Sequence, residues 1–185
     1  MKANRFPPGD GKLVPGEAKK IKIGVLALQG SFVEHINMLR MLDADTVQVR
    51  SPDHLNGLDG LIIPGGESTT IAKLAAAANL MGPLSDFASR KAVWGTCAGM
   101  IFMAKHVGTA QRTLGLMDID VERNAFGRQA DSFIIDLWVP VIYNGERKPY
   151  SAIFIRAPKL LSARGKASIL ASLPDGTAVA AREDK

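Results

Sequence analysis

Three short apolar runs, each released into a glycine-bearing turn and followed by helix-forming sequence, constrain the fold of this chain more than any other feature. The first, Ile21-Lys22-Ile23-Gly24-Val25-Leu26-Ala27-Leu28, ends at Gln29-Gly30. The second, from about Gly60 to Ile63, ends at Pro64-Gly65-Gly66-Glu67, and the third, Ala92-Val93-Trp94, ends at Gly95-Thr96-Cys97-Ala98-Gly99. Runs this short and this apolar suit strands buried on both faces, which is the condition of a parallel sheet covered by helices. Ser31 with Glu34 makes a candidate capping box, opening a helix with Ile36, Leu39 and Leu42 at its apolar positions. A further strand is expected at about Thr46 to Val49, and helices at about Thr70 to Leu80 and Pro83 to Arg90. Alternation of this kind predicts a doubly wound, flavodoxin-like α/β sandwich of three layers, in which ligands gather beyond the carboxyl ends of the strands. Gln29, the Gly65-Gly66-Glu67 turn and Cys97 all fall at such ends.

Cys97 is the sole cysteine, and its setting has the form of a nucleophile elbow. A nucleophile raised on a sharp strand-to-helix turn takes a strained backbone, and glycine on either side lets neighbouring chain and substrate come close. Gly95 and Gly99 fit that need. A helix expected from about Gly99 to His106 would aim its amides at the sulfur and favour thiolate over thiol. Attack on an amide creates an oxyanion that requires preorganised donors, for which the amides of Ala98 and Gly66 are the candidates. His106, on the same expected helix, lies about 13 Å away by helical rise and out of reach of the thiol.

From residue 119 the sequence becomes strand-rich, with Ile119 to Val121, Phe133 to Val139, a turn at Asn144-Gly145, Ala152 to Ile155, a turn at Pro174-Asp175-Gly176 and Thr177 to Ala180. The 185 residues, 46% hydrophobic and 22% charged, are ordinary for one globular domain. With one cysteine no internal disulfide forms, and neither a spaced Cys/His metal site nor a membrane-spanning run is visible, so the cytoplasm is the expected compartment. The net charge of +5 does not signal a nucleic-acid partner, because residues 1–20 hold five basic and two acidic side chains and supply +3 of it. That segment, rich in proline and glycine, is expected to be a disordered basic tail ahead of one domain at 21–185.

The residues resemble a specific family, the PdxT/SNO glutaminase subunits of pyridoxal 5′-phosphate synthase, which are class I glutamine amidotransferases. The resemblance rests on Gly24 to Gly30, Pro64 to Thr70, Gly95 to Gly99, Arg123-Asn124-Ala125-Phe126-Gly127-Arg128-Gln129 and Phe154-Ile155-Arg156-Ala157-Pro158. It implies a fold of the class I amidotransferase type, with Cys97 attacking the side-chain amide of glutamine to release ammonia and leave a thioester. Gly65, Gly66 and Glu67 match the family's glutamine-binding loop, and Arg123, Ile155 and Arg156 its other glutamine contacts. A guanidinium fork suits a carboxylate and Glu67 suits an ammonium, the two charges of a free amino acid. Gln29 matches the residue that couples the oxyanion hole to the synthase partner, a PdxS/SNZ-type barrel that receives the ammonia. The resemblance implies no cofactor and no metal.

Family members complete the site with a His-Pro-Glu segment near the C-terminus, whereas this sequence ends first, at Ala181-Arg182-Glu183-Asp184-Lys185. The expectation is therefore an amidotransferase fold without its last strand and helix. Of the three histidines, His35 matches one the family carries in addition to its catalytic base, and neither His54 nor His106 stands in such a segment. Two alternatives follow. One is a catalytically impaired form that binds the synthase or regulates it; the other is a cysteine hydrolase or chaperone of the DJ-1/PfpI type, against which the Arg123 and Phe154 segments speak.

Overall fold

A computed structural model of the chain describes residues 20–127, 131–139, 141 and 148–184. The expected tail, apart from Lys20, lies outside these residues, as do the turn at Asn144-Gly145 and the Arg128 and Gln129 positions.

The first half is a four-stranded parallel sheet of β1 (Lys22–Leu26), β2 (Asp45–Val49), β3 (Gly60–Ile63) and β4 (Ala92–Gly95), in the order β2-β1-β3-β4. Alternate side chains of the central strands serve opposite layers, as the two-residue period of a strand requires. Val25 and Ile62 pack on Ile36 of α1 (Phe32–Met41), with Phe32 and Leu39 beside them. Leu26, Leu61 and Ile63 face the other way, onto α2 (Ser68–Ala77), α3 (Met81–Ala88) and α4 (Ala98–Met103). Helices thus cover both faces of β1 and β3, whose apolar runs are largely buried; β4 departs from the expectation, with Ala92 and Trp94 exposed at the edge of the sheet. Phe102 of α4 is fully enclosed in this layer, a burial worth about 2–3 kcal/mol.

Two local expectations are corrected. Ser31 is the residue before α1, but its side chain makes no capping bond; its hydroxyl instead donates to the carbonyl of Gly65, 3.4 Å away, and its N–H donates to the same oxygen at 3.0 Å. The capping box is given up to a tie between the loops after β1 and β3. The helix after Cys97 stops at Met103, and Ala104–His106 form a strand, β5, paired with β6 (Met117–Glu122) through Ala104 and Met117. His106 therefore leaves the axis of α4, and its helical spacing from Cys97 does not apply.

The second half builds a mixed sheet, β10-β11-β9-β6-β5, from β9 (Lys159–Ala163), β10 (Ala167–Ser172) and β11 (Ala178–Glu183) together with β5 and β6. Its only parallel pair among the described residues is β5 with β6. Beside it β7 (Phe133–Leu137) and β8 (Tyr150–Phe154) form an antiparallel pair in which Phe133 lies opposite Phe154. These rings stack at 4.9 Å with planes 9° apart, and Phe126 leans on both. The Pro174-Asp175-Gly176 turn is closed by Leu173 N–H donating to Thr177 O at 2.9 Å and Thr177 N–H to Asp175 Oδ1 at 2.9 Å. Among the described residues no helix is long and apolar enough to cross a membrane.

Candidate active site

The carboxyl ends of β1, β3 and β4 open onto one cleft of about 1010 Å³, into which Gln29, Gly65, Gly66, Glu67 and Cys97 project together with Arg123, Ile155 and Arg156 from the second half. This is the strand-end edge where a doubly wound sheet collects ligands, and the order 2-1-3-4 puts the switch point between β1 and β3.

Cys97 sits between β4 and α4 with φ 51° and ψ −106°, a combination that a residue with a Cβ adopts only at a cost of about 1–3 kcal/mol. The turn is tight enough to demand the flanking glycines. A Cβ on Gly99 would lie 2.1 Å from the carbonyl oxygen of Ile63, and one on Gly95 would lie 2.6 Å from the carbonyl carbon of Gly99. The amides of Ala98 and Gly66 face the sulfur and, as expected, favour its anion. Burial nevertheless outweighs them and pushes the thiol above its ordinary value, the two amides and the positive charge of Arg156 pulling it back only in part. Cys97 is therefore a thiol at neutral pH.

Glu67 caps α2. Its carboxylate accepts the N–H of Thr69 at 3.2 Å, the N–H of Thr70 at 2.7 Å, the hydroxyl of Thr70 at 2.8 Å and the hydroxyl of Thr69. Burial alone would raise its pKa, but the hydroxyls and amides of Thr69 and Thr70 outweigh it and hold the value at about 2. The same carboxylate accepts a hydrogen bond from Arg123 Nη2 at 3.1 Å. The residue types suggest that Glu67 and Arg123 take the opposite charges of an amino acid; in the structure they pair with one another. The N–H of Glu67 donates to Gln29 Oε1 at 2.8 Å, which orients the Gly65-Gly66-Glu67 turn from the loop after β1.

Arg156 and Ile155 reach the cleft in the bend that follows directly on Phe154, the last residue of β8, and the N–H of Ala125 donates to Ala157 O at 3.1 Å, tying the Arg123 and Arg156 loops together. Arg156 has φ 48° and Asn124 φ 51°, so both loops turn sharply at the cleft. His35 of α1 also lines it, whereas His106 lines a separate surface pocket with Lys105, Asp120 and Arg164. His54 Nδ1 lies 3.2 Å from Arg50 N and 3.2 Å from the Ser51 hydroxyl, and it does not line the cleft. Tyr150 and Ile153 line the cleft as well, and no motif singled them out; Asn124, beside Arg123 in its motif, also lines it but was given no role. Among the described residues no group of three or more His, Cys, Asp or Glu side chains is arranged to hold a metal ion.

A strained cysteine under backbone amides, at the carboxyl edge of a doubly wound sheet and beside a paired arginine and glutamate, defines a cysteine-dependent α/β amidotransferase. The chain belongs to the SNO glutamine amidotransferase family, whose model matches residues 25–185. It is 54% identical over 168 residues to a pyridoxal 5′-phosphate synthase subunit PdxT of Dehalococcoides mccartyi, covering 89% of this chain and 85% of that one. Against the subunit of the same name from Herpetosiphon aurantiacus the identity is 51%, over 88% of this chain and 87% of that one. Its fold is similar to a crystal structure of a glutamine amidotransferase, with a TM-score of 0.78 and 41% identity over 87% of this chain and 84% of that chain.

Proposed function

We propose that this chain hydrolyses L-glutamine to L-glutamate and ammonia in the cytoplasm, through a thioester on Cys97, and passes the ammonia to a barrel-shaped pyridoxal 5′-phosphate synthase subunit. The observation that carries the reading is the strained Cys97 with the amides of Ala98 and Gly66 on its sulfur. The sulfur attacks the side-chain carbonyl carbon, an S–C bond forms, and the negative charge moves to the carbonyl oxygen beside those two amides. Collapse breaks the C–N bond, and the nitrogen leaves as ammonia with the proton that the thiol gives up. Water then cleaves the thioester, releasing glutamate and restoring the thiol. Glutamine's ammonium and carboxylate would take Glu67 and an arginine, Arg123 or Arg156, with Ile155 beside them and Gln29 coupling the turn to the partner. The test is ammonia release from glutamine with and without the synthase subunit. Turnover that depends on Cys97 supports the reading, and turnover unaffected by Cys97→Ala removes it.

A second reading is a form that docks on the synthase with impaired turnover. It is favoured by the placement of the histidines, since His35, the one lining the cleft, is bonded to Thr96. A positioned acid/base contributes about 10²–10⁴ in rate. This reading predicts co-elution with the synthase for both the native chain and Cys97→Ala, without turnover in either.

A further inference from the structure

His35 makes contacts that no step above requires. Its Nε2 lies 3.3 Å from Thr96 Oγ1, and its ring stands edge-on to Trp94, with centroids 5.9 Å apart and planes at 78°. Thr96 is the residue immediately before the strained Cys97. Its other polar atoms are already committed: the N–H donates to Ile63 O at 3.0 Å and the carbonyl accepts from Gly99 N–H at 2.8 Å. The hydroxyl is the remaining handle on this residue, and His35 holds it.

A residue in a sparsely populated conformation persists only where its surroundings over-determine it. A reactive group is placed by neighbours whose own rotamers are locked. His35 meets the second condition, because it is half-buried on α1 and the start of α1 is tied to the loop after β3 by the Ser31–Gly65 bond of 3.0 Å. The imidazole thus joins α1 and the β3 loop to the turn that carries the nucleophile.

We propose that His35 is a positioning residue for Cys97, gripping Thr96 through its hydroxyl and Trp94 through its ring edge so that the sulfur stays under the amides of Ala98 and Gly66. This rests on the reading of Cys97 as the nucleophile. Burial lowers the pKa of His35, and Glu34 on the same helix opposes that more weakly, so the ring is uncharged at neutral pH. Glu67, Arg123 and Arg156 are the charged groups facing it from the other loops of the cleft, and Cys97 and Tyr150 the other titratable ones.

The test is the rate at which iodoacetamide alkylates the single cysteine of the full chain, followed against pH, with thermal unfolding monitored in parallel. His35→Leu and Thr96→Val remove the bond, whereas His35→Gln and Thr96→Ser keep a partner for it. Each disrupting variant is expected to slow alkylation about fivefold and displace its pH midpoint, the double variant to be no slower than either single one, and the conservative variants to stay within about twofold of the native chain. An unchanged or faster rate in a folded His35→Leu chain, or losses that multiply in the double variant, overturns the proposal. If His35→Leu does not fold, the contrast between Thr96→Val and Thr96→Ser decides by the same criteria. Protection of the native thiol by L-glutamine is measured alongside. Absence of protection counts against the nucleophile reading itself, whereas protection with rates insensitive to His35 removes the positioning role alone.

Discussion

The two halves of the molecule contribute to one cleft in different ways. Through α4, the first half is a parallel sheet with helices on both faces, and it holds the sulfur, the amides of Ala98 and Gly66 and the Gly65-Gly66-Glu67 turn at its strand ends. From β5 onward the second half is a mixed sheet and a short strand pair, several of whose apolar side chains are exposed, including Ile134, Ile153, Leu161 and Ile169. It supplies Arg123, Ile155 and Arg156 on loops braced by three phenylalanine rings. On the reading proposed above, chemistry that tolerates little displacement stands on the strand ends of the first half, and recognition of charge is shared between Glu67 there and the arginines of the second half.

That contrast makes substitutions in the first half costly and those in the second graded. Cys97→Ala should abolish ammonia release, by at least about 10⁴-fold, because the nucleophile and its activation act as a unit. Gly99→Ala places a methyl group 2.1 Å from Ile63 O; urea unfolding should show a loss of about 3 kcal/mol. A loss under about 1 kcal/mol there would mean that the elbow is softer than its geometry indicates. In the second half, Arg123→Gln should raise the KM for glutamine about tenfold with a smaller change in kcat, as expected when a binding contact rather than a transition-state contact is lost. Leu161 is 55% exposed, and Leu161→Lys should shift stability by no more than about 0.5 kcal/mol.

Within the first half, pH dependence separates Glu67 from Cys97. Glu67 has its pKa lowered from 4.5 to about 2 by folding, so it stabilises the native state above its unfolded value and that contribution fades as pH falls from 4.5 towards 2. Replacing it with Gln should flatten that part of the acid unfolding curve. Cys97 has a raised pKa, so its alkylation in the empty protein should rise with pH and reach its midpoint above that of a free thiol, in the opposite sense to a thiolate-stabilising site.

The first half was largely legible in the amino-acid sequence because strands buried on both faces must be continuously apolar. β3 starts and ends where its apolar run does, β1 lies within its run, and β4 passes the end of its run by Gly95. Cys97 stood out because the two glycines its turn requires, Gly95 against Gly99 and Gly99 against Ile63, flank it in the sequence. β5 was not legible. Ala104-Lys105-His106 continues the composition of α4, and what makes it a strand is pairing with β6, thirteen positions on from Ala104. β9 and β10 were missed for a related reason: Leu161 and Ile169 face outward and serines interrupt both strands, so no two-residue alternation survives. The thiol state of Cys97 and the pairing of Glu67 with Arg123 depend on burial and on proximity across 56 positions, which local residue type does not encode.

The ion pair between Glu67 and Arg123 competes with any charged ligand for the same two groups. On the proposed reading, a ligand with a single charge would replace half of the pair and strand the other partner. One that brings an ammonium and a carboxylate at the right spacing would exchange one internal pair for two external ones. Selection for a free amino acid over the same side chain within a peptide would then follow from what the protein gives up on binding.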